Sequence, residues 1–125
     1  MNESSLKSSW MAQMKSDAPG FVAIRHEDVR TSGIPDASIT GCGRTTWWEA
    51  KYGTPDFQST GIQELTMLRL SAAGYARYVI WEERKGVRRT LIVHPKHLAD
   101  LTPESWCVGF DMKWLVNEVR KAHGL

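Results

Sequence analysis

Apolar residues recur with helical spacing in three stretches of the chain. The first predicts a helix over residues 4–16, with Ser4 or Ser5 as its cap. The second predicts a helix over residues 61–73, and the third predicts a last helix that begins after Asp111. The apolar positions of the second helix form one stripe that should face the core: Ile62, Leu65, Met67, Leu68 and Ala72.

The segments between these helices have the β-branched and aromatic content of strands. Three such segments follow the first helix and two follow the second: residues 21–25, 36–40, 45–52, 78–81 and 90–93. Glycines on both sides of Cys42 favour a tight turn, and the connection through the second helix is long enough for a parallel crossover. The order helix, three strands, helix, one or two strands and helix predicts a small α/β domain with a mixed sheet.

The bulk composition fits one domain spanning residues 1–125. The formal net charge is only +2, so a nucleic-acid partner would need local clusters of cations. Cys42 and Cys107 lie far apart in the sequence, which fits a reduced, cytoplasmic protein better than a disulfide scaffold. Residues 1–10 lack the pattern of a signal peptide, and no apolar run approaches the ~18 residues that span a bilayer. We therefore expect a soluble, cytoplasmic protein with no membrane partner.

Three charged residues stand at or inside two of the strand-like segments. Asp36 follows Pro35 in GIPDASI, and Glu49 and Lys51 lie in TTWWEAKYG. A charge there is costly without a partner or a function, and strand alternation directs Glu49 and Lys51 to one face. Two carboxylates, with the carbonyl of Ala50, suit Mg²⁺ or Mn²⁺, and a lysine beside them can assist a water. The set predicts a site that hydrolyses phosphodiesters.

The same three residues also fit a plainer interpretation. Aspartate after proline is common in turns, and Glu49 and Lys51 can form a surface pair worth under about 1 kcal/mol. The arrangement on neighbouring strands, joined by a turn of suitable length, favours the metal site.

With these residues in place, the chain resembles the PD-(D/E)XK nuclease superfamily. More narrowly, it is similar to the VRR-NUC and Holliday-junction-resolvase-like branch, which includes small stand-alone phage domains. The matching pieces cover most of the chain in the expected order: Glu3, residues 21–25, Arg30, residues 32–39, residues 45–53, Gln63, Leu65, Leu68 and residues 72–81. The resemblance implies a restriction-endonuclease-like core, dependence on Mg²⁺ or Mn²⁺, and structured DNA cut by a homodimer.

The resemblance also implies a role for each matching site residue. Asp36 and Glu49 become metal ligands, and Lys51 becomes the catalytic lysine. Gln63 becomes an active-site residue near the water or phosphate, although an ordinary place at the start of a helix fits it equally well. Glu3 becomes an extra metal ligand that reaches over from the first helix.

Five arginines are candidates for contacts to DNA phosphates. Arg25, Arg30 and Arg44 lie near the ends of the strands that build the metal site. Arg88 and Arg89 belong to a group of four cations at a hairpin tip, which can bind phosphate or can simply be solvated.

Other features narrow the function classes. Most of the six tryptophans, Trp47 and Trp48 included, are expected in the core, because base stacking needs an exposed ring near a basic groove. The chain contains no P-loop and no G-x-G-x-x-G motif, so we expect no nucleotide cofactor. The main expectation is a metal-dependent endodeoxyribonuclease. The alternatives are a DNA-binding module that cuts poorly and a phage structural or accessory protein with the same fold.

Overall fold

A computed structural model describes residues 2–27, 33–53 and 61–125. Within these residues the chain forms three α-helices and six strands. The helices are α1 (Glu3–Asp17), α2 (Gly61–Ala73) and α3 (Met112–Ala122). The strands are β1 (Val22–Arg25), β2 (Ala37–Gly41), β3 (Arg44–Gly53), β4 (Ala76–Arg84), β5 (Val87–Val93) and β6 (Ser105–Val108), and a 3-10 turn covers Pro95–His97.

The six strands form one mixed sheet in the order β1-β2-β3-β4-β5-β6. The pair β3 and β4 is parallel, and every other neighbouring pair is antiparallel. Helix α2 connects the two parallel strands, as a crossover requires. The predicted α/β class, the mixed sheet and the parallel crossover are therefore confirmed.

Helices pack on both faces of the sheet. One face carries α1 and α3, whose buried residues cluster with Trp48, Ala50 and Trp81. The other face carries α2, through Met67, which clusters with Tyr78 and Leu91. Because side chains alternate along β3, Trp48 and Ala50 belong to the first face, while Glu49 and Lys51 belong to the second. No helix among the described residues is long and apolar enough to cross a bilayer.

The turn between β2 and β3 consists of Cys42 and Gly43, since Gly41 pairs with Arg44. Both turn residues have positive φ, at 53° and 75°, as a two-residue hairpin turn favours. A glycine also suits position 41, because a Cβ there would overlap the ring of Phe21. The predicted hairpin is thus confirmed.

The cap of α1 differs from the expectation. Asn2, and not Ser4 or Ser5, caps the helix, and its side chain accepts a 2.8 Å hydrogen bond from the backbone N–H of Ser5. The Ser5 hydroxyl in turn accepts from the Asn2 backbone, which completes a reciprocal capping box. Ser5 therefore takes part in the capping box, but as the third residue of α1 and not as its cap.

A third strand, β6, follows α2 where one or two strands were predicted. It is only four residues long, and Trp106 and Val108 on one of its faces are exposed. Such a short edge strand has too little apolar pattern to stand out, and its pairing with β5 is what establishes it.

The apolar stripe of α2 does not face the core as predicted. Ile62 is 58% exposed, and Leu65 and Leu68 are also exposed, while Met67 is buried. At about 100° per residue, Leu65 and Met67 point to nearly opposite sides of the helix. Both sides of α2 are apolar, so spacing alone did not identify the side that meets the sheet.

Candidate active site

The open end of the β2–β3 hairpin brings two carboxylates together. Regular pairing stops at Ala37 and Trp48, and the side chains of Asp36 and Glu49 continue the contact between the strands. The backbone N–H of Asp36 donates to Oε1 of Glu49 at 3.0 Å. The backbone N–H of Ala50 donates to Oδ2 of Asp36 at 2.8 Å. Each carboxylate is therefore held by a backbone group of the opposite chain segment.

Glu49 is the most unusual group of this site. It is only 1% exposed, and burial, followed by the hydrogen bond and the charge of Asp36, raises its pKa to about 8. Lys51 opposes this rise, with its Nζ 3.8 Å from Oε2 of Glu49. A buried carboxylate that contacts a second one requires positive charge nearby if it is to ionise. The pair therefore has the electrostatic character of a cation site.

Lysines approach the two carboxylates from both faces of the sheet. Lys51 lies with Glu49 on the α2 face. Lys7 comes from α1, with its Nζ 3.3 Å from Oδ1 of Asp36 and 3.9 Å from Glu3. Lys7 was not predicted from the sequence, in which its spacing of four residues from Glu3 is the only signal.

Glu3 lies at the rim of the same site. Its Oε1 accepts a 3.2 Å hydrogen bond from the backbone N–H of Tyr52, one residue beyond Lys51. The contact places the first turn of α1 beside the end of β3. The structure thus brings together Asp36, Glu49, Lys51 and Glu3, while their roles as ligands or catalysts stay predictions.

Two further residues predicted at the site are Ala50, through its backbone carbonyl, and Gln63. The N–H and C=O of a strand residue point to the same neighbour, so the Ala50 carbonyl is directed to the side where its N–H meets Asp36. Gln63 lies half-buried in the first turn of α2. Burial, then the charges of Glu49 and Glu64, raises the pKa of Tyr78, so this turn of α2 lies close to the carboxylate site.

Each described arginine that was predicted to bind DNA contacts other groups of the chain. Arg25 donates to Ser8 at 2.8 Å and pairs with Glu27 at 2.9 Å. Arg44 donates to the carbonyl of Ala122 at 2.7 Å, which joins β3 to the end of α3. Arg88 and Arg89 pair with glutamates of β4. Arg30 lies outside the described residues.

The residues present fit a divalent metal ion of the Mg²⁺ type. The described part of the chain contains no group of three or more His, Cys, Asp or Glu residues that could hold a metal. Mg²⁺, however, is usually held by one or two carboxylates together with waters and substrate phosphate. The buried hydroxyl of Tyr78, whose residue pairs with Glu49 across the strands, has no hydrogen-bond partner among the described residues. The Tyr78 hydroxyl thus has unused hydrogen-bonding capacity on the face of the sheet that carries Glu49.

A scan of protein-family models and a search of curated proteins found no match to this chain.

The raised pKa of Glu49 predicts that metal affinity depends on pH. Below about pH 8 the metal-free site holds a proton on Glu49, and a metal must displace it. We expect Mn²⁺ affinity to rise up to about tenfold per pH unit until about pH 8 and then to level off. Calorimetry in buffers of different ionisation enthalpy should show about one proton released per ion at pH 6.5. An Mn²⁺ affinity that stays constant between pH 6 and 9 would show that Glu49 is not a metal ligand with a pKa of about 8.

Proposed function

We propose that this chain is a divalent-metal-dependent endodeoxyribonuclease. The observation that carries the proposal is the meeting of Asp36 and buried Glu49 at the end of one hairpin, with Lys51 3.8 Å from Glu49. A buried glutamate with a raised pKa, in contact with an aspartate and an amine, is costly for a purely structural site. The helix–three strands–helix–strand order with parallel β3 and β4 also supports a restriction-endonuclease-like core.

In this proposal Asp36, Glu49 and the Ala50 carbonyl would hold Mg²⁺ or Mn²⁺. A bound ion of this kind polarises a phosphoryl oxygen and lowers the pKa of a water. The hydrogen bond from Ala50 N–H keeps Asp36 fixed, and the Asp36 N–H keeps Glu49 fixed. The ligand oxygens are therefore pre-positioned by the backbone, which lowers the cost of organising them.

Lys51 has a separate role in the proposed reaction. Its ammonium lies on the face of Glu49, where it can hold the attacking water and offset the charge that builds on the phosphate. The water oxygen forms a bond to phosphorus while the bond to the leaving oxygen breaks. Lys7, from the other face, pairs with Asp36 at 3.3 Å and also lies 3.9 Å from Glu3.

The partner of the site is proposed to be DNA with a structured or branched form. A homodimer would supply two sites for two strands, which suits a two-fold symmetric junction. The exposed side of α2, with Ile62, Leu65 and Leu68, is an apolar surface of the kind that such contacts use. The homodimer stays a prediction.

The proposal is tested with fluorescent single-stranded, duplex, flap and four-way DNAs and a closed circular DNA. We expect cleavage with Mg²⁺ or Mn²⁺ and none with EDTA, and nicking of the circle would identify an endonuclease. Asp36→Asn should abolish cleavage. Asp111→Asn is the matched control, because Asp111 caps α3 and asparagine is an equally good cap.

Two results would contradict the proposal. DNA binding without cleavage of any substrate would favour the binding-module alternative. Neither DNA nor Mn²⁺ binding would favour a structural or accessory protein. Cleavage that persists in Asp36→Asn would show that Asp36 does not have its assigned role as a metal ligand.

A further inference from the structure

Trp106 differs from the other five tryptophans of the chain. Trp10, Trp48 and Trp81 are completely buried, Trp47 and Trp114 are half-buried, and Trp106 is 50% exposed on the edge strand β6. It is not an isolated exposed residue, since Val108 on the same face of β6 is 73% exposed and Val87 on β5 is also exposed. These residues form a surface at one corner of the sheet, which we call the β6 corner: Val87, Arg89, Trp106 and Val108.

The β6 corner is positively charged. The guanidinium of Arg89 lies 5.4 Å from the centre of the Trp106 ring. Arg84 and Lys85 lie at the adjacent β4–β5 hairpin, and Glu82 pairs with Arg89. Arg88 and its partner Glu83 belong to the opposite face of the sheet, where Arg88 lies over the Phe110 ring. Residues 82–89 therefore carry a formal charge of +2, which equals that of the entire chain. The formal charges of the rest of the chain sum to zero, so the net positive charge of the chain resides in this hairpin, which favours a polyanion beside the β6 corner.

The register of the sheet connects this corner to the candidate active site. Lys51 pairs with Ile80, Ile80 with Leu91, and Leu91 with Trp106. These four residues form one row on the face that also carries Glu49. Three strand spacings separate the ends of the row, a distance of about 14 Å. An unpaired strand can extend beyond the ~3.4 Å per nucleotide of duplex DNA, so a straight path of this length takes about four nucleotides or fewer.

The middle of this row is covered. Ile80 and Leu91 are buried in one cluster with Met67 of α2. A DNA strand that contacts both Lys51 and Trp106 would therefore pass over the end of the sheet where β4 turns into β5. Arg89 lies on that path, one row beyond Trp106, because it pairs with Val108 and Glu82.

We propose that Trp106 stacks on an unpaired base of the DNA substrate. Arg89 would hold the indole ring from one side, and the cations of the β4–β5 hairpin would contact the flanking phosphates. The bases of a duplex have their faces covered by neighbours, so only a single-stranded segment can use this site. This inference rests on the proposed nuclease function and specifies its substrate as DNA with an unpaired segment a few nucleotides from the cleaved bond.

The test measures binding in EDTA, where cleavage does not occur. Anisotropy of a labelled oligothymidine and of a labelled duplex is compared for the wild type, Trp106→Ala and Trp106→Phe. Stacking on one base predicts that Trp106→Ala weakens single-strand binding about tenfold or more, that Trp106→Phe retains most of it, and that duplex binding does not change. Val22→Ala is the matched control, since Val22 is an exposed apolar residue on the opposite edge strand, β1.

Several outcomes would overturn the inference. One is single-strand affinity of Trp106→Ala equal to that of the wild type, and another is equal weakening for single strand and duplex. A wild-type oligomer that dissociates in Trp106→Ala would show that β6 contacts another protein copy. The proposed function fails separately: a wild type that binds oligothymidine through Trp106 but cuts no DNA with Mn²⁺ would leave the stacking site standing without the nuclease.

Discussion

Glu49→Gln is expected to lower the rate of DNA cleavage by about 10²–10⁴-fold while the protein remains folded. The amide has the shape of the protonated carboxyl group that Glu49 carries below about pH 8 in the metal-free protein. It therefore fits the same buried position but supplies no charge to a metal. Single-turnover cleavage at saturating DNA and Mn²⁺ measures the loss, and thermal melting at pH 7 should be unchanged.

Asp36→Asn and Lys51→Met should give losses of similar size for different reasons. The first removes a ligand oxygen that accepts from the Ala50 N–H, and the second removes the amine beside Glu49. Lys51→Met should leave Mn²⁺ binding intact, whereas Glu49→Gln should weaken it. If one of these three variants cuts DNA at close to the wild-type rate, the substituted residue does not have its assigned role. The cleavage rate of Asp111→Asn sets the reference.

Trp48→Ala is expected to lower the free energy of unfolding by about 3–5 kcal/mol. Trp48 is completely buried, and its indole N–H donates to Thr46 Oγ1 at 2.8 Å. Its ring meets Trp10 edge-to-face at 5.7 Å, and Trp10 meets Trp81 at 6.2 Å. Truncation leaves a cavity at the contact between the sheet and α1, and urea denaturation measures the loss.

The same substitution at Trp106 provides the matched control. Because half of Trp106 is exposed to solvent, Trp106→Ala should cost about 1 kcal/mol or less. Equal denaturation midpoints for the two variants would contradict the burial of Trp48. A large loss in Trp106→Ala would instead indicate that β6 contributes more to stability than an edge strand is expected to.

Elements with strong local patterns could be predicted from the sequence. The helix over residues 61–73 has the predicted bounds, and the β2–β3 hairpin follows from the glycines around Cys42. The orientation of α2 could not be predicted, because Met67 and Leu65 are apolar on opposite sides of the helix and only the packing selects one. The strand β6 depends on its pairing with β5 and on little in its own four residues.

Local sequence rules predicted the part of the candidate site that lies on the β2–β3 hairpin. Strand alternation places Glu49 and Lys51 on one face, and the hairpin brings Asp36 next to them. Lys7 was missed because its contact with Asp36 joins residues that are 29 positions apart in the sequence. The pKa of Glu49 likewise depends mainly on burial, which comes from packing of the complete sheet and from no neighbour in sequence.

The turn at Cys42 offers a place for a reporter dye. Cys42 is exposed, whereas Cys107 is half-buried with its Sγ 3.9 Å from the carbonyl oxygen of Gly109, so a maleimide should label the turn first. Strands β2 and β3 meet at this turn, and Asp36 and Glu49 lie about 20 Å away along the hairpin. A fluorophore there would report the arrival of labelled DNA by energy transfer without obstructing the carboxylates.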